Sequence, residues 1–85
     1  MSRGMGRVQL AVREVIYEAI HSGEDALTTD QITVRTFRLM KRRYSGMYGW
    51  RGESPREHHY AAVRRAIRTL GDHDPDLKIG SEPED

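Results

Sequence analysis

Arg56, Arg64, Arg65 and Arg68 fall in one stretch, residues 54–71, where basic side chains are interleaved with alanines. Arginine carries a permanent charge on a planar fork of donors that matches a phosphate or the edge of a guanine. At helical spacing His58, Ala61, Ala62, Arg65 and Arg68 share one face, with Arg64 on its flank. Tyr60, Val63, Ile67 and Leu70 form an apolar stripe on the other side. Small alanines let a backbone come close to a surface. A helix buried along one side, with arginines around alanines on the other, has the form needed to lie in a DNA major groove. Arg65 and Arg68 are the expected base readers, and Arg56 and Arg64 the expected phosphate contacts. Ala62 is expected against the groove. His58 in the first turn is an expected donor whose charge would make binding depend on pH.

Arg42, Arg43 and Arg51 flank the loop before this helix and are expected to touch the sugar-phosphate chain. Lys41-Arg42-Arg43 also suits a helix C-terminus, where the macrodipole favours positive charge. Tyr48 and Trp50 lie beside Arg51, a pattern compatible with base stacking on single strands. The stronger expectation is that Trp50 docks on the core, as large aromatics in short domains do. Other chemistries fit poorly. His58 and His59 are adjacent and point about 100° apart on a helix, His21 and His73 are remote, and the chain has no cysteine, so no metal site is expected. Asp72-x-Asp74-x-Asp76 opens like a calcium loop, but Leu77 stands where glycine is required and Pro83 where glutamate is. There is no defensible serine–histidine–acid set or paired carboxylates. Gly46, Gly49 and Gly52 lack the strand–loop–helix setting of a nucleotide site. The expectation is a non-catalytic protein without a cofactor.

The charge pattern agrees. The net charge is +1, but residues 35–68 hold ten Arg or Lys against two Glu, whereas residues 69–85 hold one Lys against six acids. A basic block on a near-neutral chain is the footprint of a polyanion partner. At 85 residues the chain is expected to form one domain with a modest core and no deep enzymatic cleft. The cysteine-free composition fits a cytoplasmic protein, and no apolar run spans a membrane. Residues 1–7 show no apolar segment after their basic residues, so no signal peptide is expected.

These side chains must be held by helices. Val8, Val12, Val15, Ile16, Ala19 and Ile20 repeat through residues 6–22, with Leu10 and Ala11 widening the face and Gly23 ending the helix. Ala26-Leu27-Thr28 reads as a short extended piece. Thr28 and Gln31 fit a capping box for a second helix, along which Thr33, Phe37, Met40 and Tyr44 share a face. The β-branched Ile32-Thr33-Val34 leaves an extended start to that helix open. Residues 45–53 form a glycine-bearing loop. Ser54, Pro55 and Glu57 read as a capping box for the third helix, and Gly71 as its left-handed end. Leu77-Lys78-Ile79 is a candidate short strand. Residues 1–5 and 81–85 are expected to be disordered, the latter an acidic tail, leaving one domain over 6–80.

This order of elements is that of a winged helix-turn-helix. Gly6-Arg7-Val8-Gln9-Leu10-Ala11-Val12 and Ala62-Val63-Arg64-Arg65-Ala66-Ile67-Arg68-Thr69-Leu70 resemble short winged-helix proteins of actinobacteria and their phages and plasmids. The resemblance implies a mainly α (α+β) three-helix fold with a short or degenerate wing. It implies that helix three recognises double-stranded DNA, for transcription regulation or phage and plasmid DNA handling. It further implies His58, Ala62, Arg65 and Arg68 at the groove. The chain departs from the pattern in a wing with Lys78 as its only base and in a long loop before helix three. One module makes few contacts, so a homodimer or partner protein is expected through helix 6–22 or loop 45–53. The alternative is a protein–protein interaction adaptor that binds a partner through helix 6–22, Tyr48 and Trp50.

Overall fold

The computed structural model describes residues 6–73, as three helices: α1 (Arg7–His21), α2 (Thr29–Tyr44) and α3 (Glu57–His73). α1 begins after Gly6, whose N–H donates to the Gln9 side chain at 3.3 Å. It ends in two reversed hydrogen bonds, Gly23 N–H to the Ile20 carbonyl and Glu24 N–H to the Ala19 carbonyl, each 3.0 Å. This Schellman closure needs a left-handed residue, and Gly23 supplies it with φ 79°. Ala11, Val12, Val15, Ile16 and Ala19 are buried. Leu10 and Ile20, expected on the apolar face, are each 46% exposed. At about 100° per residue Ile20 lies just past the edge of the buried arc, and Leu10 lies on the opposite side of α1.

α2 starts as its sequence requires. The Thr28 hydroxyl accepts from Gln31 N–H at 3.2 Å, and the Gln31 side chain accepts from Thr28 N–H at 2.9 Å. The local capping box overrides the β-branched residues: Ile32 and Thr33 are helical and fully buried. Thr33 donates its hydroxyl to the Thr29 carbonyl at 2.8 Å, which lets a polar side chain sit in the core. The equally buried Thr36 hydroxyl has no partner among the described residues. α2 closes on Ser45 at φ 55°, followed by Gly46 at φ 80°.

Each helix packs against both others. Val12 and Ile16 of α1, Ile32 and Met40 of α2, and Val63 and Leu70 of α3 meet almost completely buried. Each such side chain contributes about 1.5–3 kcal/mol relative to leaving it in water. Trp50 covers one side of this core and is 5% exposed, as expected. The described part of the chain is thus a mainly helical domain with no strand. The extended piece at 26–28 forms none. The expected wing at Leu77–Ile79 and the termini 1–5 and 81–85 lie outside the described residues. No helix of the described residues is long and apolar enough to cross a membrane.

Candidate nucleic-acid interface

The start of α3 departs from the expected Ser54–Glu57 capping box. The helix begins at Glu57, so Ser54 and Pro55 precede it and Arg56 takes the cap position. The third helical residue is then His59. Its Nδ1 accepts from Arg56 N–H at 2.9 Å. Its Nε2 lies 2.8 Å from the Gly49 carbonyl, which only accepts, so Nε2 carries the proton. The ring is 2% exposed, 4.6 Å from the Trp50 ring and edge-on to Phe37 at 4.9 Å. One neutral imidazole therefore caps α3 and ties it to the middle of the connector. The far end of α3 is corrected as well: Gly71 does not stop the helix, which continues to His73.

Because His59 turns inward, the buried stripe is His59, Val63, Ala66 and Leu70. Tyr60 and Ile67, expected in that stripe, are only partly buried at its edge. At about 100° per residue, the side opposite this stripe carries Ala61, Arg64, Arg65 and Arg68. Those three arginines and Arg56 are exposed, and their guanidinium groups make no ion pair, hydrogen bond or ring contact with any described residue. The sequence places no acid between Glu57 and Asp72. His58 is exposed, with its ring 4.0 Å from that of His59. Ala62 is a correction: it is partly buried against the core, facing α1 rather than the outer face of α3.

The other expected contacts separate. Arg43 forms an ion pair with Glu14 of α1. Arg42 is exposed and lines a groove between α1 and α2 of about 540 Å³, together with Arg38, Glu14 and Glu18. Arg51 is exposed in the connector. The structure therefore groups Arg64, Arg65 and Arg68 on one face and leaves Arg42 and Arg43 on the α1–α2 side. That side holds a further pair: Arg35 donates two hydrogen bonds to Glu24, at 2.8 and 3.1 Å. They hold the Glu24 carboxyl below its ordinary range and raise the Arg35 guanidinium above its own.

Two residues escaped sequence reasoning. His59 reads as a polar surface position next to His58, and only its distant partner Gly49 makes it a core residue. Arg7 reads as an ordinary base at the start of α1. Its guanidinium lies 3.8 Å from the Tyr48 ring centre. No local signal marks either contact.

No known protein family, curated protein or solved structure matches this chain.

Proposed function

We infer that this protein binds double-stranded DNA without catalysis, through a helix-turn-helix arrangement in which α3 enters the major groove. The carrying observation is the outer face of α3: Arg64, Arg65 and Arg68 exposed and unengaged, around the small Ala61. A permanently charged group with no partner among the described residues is free to neutralise a phosphate or bridge a guanine. Arg56 lies at the start of that helix and Arg51 in the connector before it, both suited to the phosphate backbone. Arg42 is a second backbone contact in this reading, and Arg43 one only if it leaves Glu14. Transcription regulation, or DNA handling for a phage or plasmid, is the role that suits a small cytoplasmic module of this kind. A second copy or a partner protein would extend its short footprint.

The connector 45–56 is longer than the turn of about three to four residues usual in such motifs. The His59 bridge to Gly49 offsets that length by fixing the connector against α3. The test is an NMR titration of labelled protein with a random-sequence duplex at low and then moderate salt. Shifts concentrated in residues 56–69 and reversed by salt support the reading; an unperturbed α3 at low salt overturns it.

A protein-interaction adaptor is the second reading. Met47 and Tyr48, 57% and 55% exposed on the connector, favour it. Salt-insensitive binding to a protein, with no duplex affinity, would select it.

A further inference from the structure

A cleft of about 490 Å³ separates the start of α1 from the connector and α3. Its rim carries Arg7, Tyr48, Arg65 and Thr69, and its floor Met40 and Trp50. No acid lines it. The α1–α2 groove, by contrast, sets Glu14 and Glu18 beside its arginines.

Arg7 is held in an unusual way. Its guanidinium sits over the Tyr48 ring at 3.8 Å and 5.8 Å from that of Tyr44, and the two tyrosines meet edge to face at 5.3 Å. Stacking uses the flat face of a guanidinium and leaves its in-plane N–H donors free. Those donors have no acceptor among the described residues. Tyr48 has φ 60°, a left-handed conformation that costs an L-residue about 1 kcal/mol or more. At 55% exposure, burial does little to offset that cost. The strained backbone presents a ring to Arg7, and the ring lowers the entropy that Arg7 would lose on gripping a ligand.

We propose that this cleft is a phosphodiester clamp, in which Arg7, stacked on Tyr48, and Arg65 close on the backbone of the DNA strand that borders α3. The proposal rests on the DNA-binding reading and extends it: the footprint runs from α3 over the start of α1, away from the Arg43 side. Arg65 then belongs to two surfaces, the outer face of α3 and the rim of the cleft.

The test measures duplex affinity of the full chain across a salt series, with thermal unfolding of each variant as a control. Arg7→Gln lowers affinity and reduces the slope of log affinity against log salt by about one, as expected for one lost phosphate contact. Arg13→Gln, which removes an α1 base that does not line the cleft, leaves the slope unchanged. Tyr48→Ala lowers affinity although it alters no charge, and Tyr48→Phe, which keeps the ring, binds like the parent. An unchanged slope in Arg7→Gln, with Arg65→Gln and Arg68→Gln both weakened, overturns the clamp and leaves the DNA reading standing. Unchanged binding in all three overturns both. Inorganic phosphate, added instead of duplex at equal ionic strength, leaves the Arg7 and Tyr48 resonances in place. A full shift with phosphate alone would define a free-anion site and overturn the clamp.

Discussion

Two parts of α3 a few residues apart are built on opposite terms. Around His59 each polar atom is engaged: Nδ1 with the Arg56 amide, Nε2 with the Gly49 carbonyl, and the ring against Trp50 and Phe37. On the outer face, Arg64, Arg65 and Arg68 engage nothing in the described chain. The first part derives its free energy from inside the molecule and has none to offer a ligand. The second contributes little to folding and keeps its donors for something else. Polar residues of one helix are thus separated by partnership, which composition does not reveal.

The largest expected effect tests the engaged end. His59→Ala strands the Arg56 amide and the Gly49 carbonyl and opens a cavity beside Trp50. A loss of about 3 kcal/mol in urea unfolding is expected. A loss below about 1 kcal/mol would mean that the connector holds α3 without the imidazole. The outer face should behave in reverse. Arg65→Ala and Arg68→Ala each cost about 1–3 kcal/mol of duplex binding if they reach bases, while the thermal midpoint stays nearly fixed. A variant that shifted stability and spared binding would erase the contrast. The contrast also needs α3 to run on past residue 70. Gly71 is exposed, its φ is not positive, and an added Cβ would meet nothing within 4 Å. Gly71→Ala should therefore stabilise by about 1 kcal/mol. Destabilisation in chemical unfolding would place the end of the helix at residue 71 after all.

The smallest effect concerns an engaged arginine far from α3. The Glu24 carboxyl is held below its ordinary range by Arg35, so its folded value lies under its unfolded one. Its contribution is present above the ordinary carboxylate range and is lost as pH falls through the lowered folded value. The pair is exposed and screened, so the effect is slight. In unfolding measured across acid pH, parent and Glu24→Gln should converge as pH falls. A gap that stayed constant would show that the pair contributes nothing dependent on charge.

The sequence was most legible where its signals were local. Thr28 with Gln31, and Gly23 after His21, each act within a few residues, and both helix ends stand where that chemistry puts them. The start of α3 was misread because Ser54, Pro55 and Glu57 make a plausible local cap that a long-range contact displaced. His59 needs Gly49 and Trp50, and no spacing rule announces them. The expected apolar stripe is rotated for the same reason: with His59 turned inward, Ala66 comes to the buried side and Tyr60 and Ile67 fall at its edge. Of the candidate site, the identity of the α3 arginines was legible. Their separation from Arg43 was not, because it depends on Glu14 lying across from α2. Ala62 was misplaced because α1 approaches α3 on that side.

The way α3 is capped sets an order of assembly. α1 and α2 carry their own end signals and can settle as soon as their apolar faces meet. The first turn of α3 waits until segment 45–56 has closed and Gly49 has come within reach of His59. The amides of residues 57–60 should therefore exchange with solvent before those at the centre of α2. The first turn of α3 can then open and re-form while the remainder of the bundle stays intact.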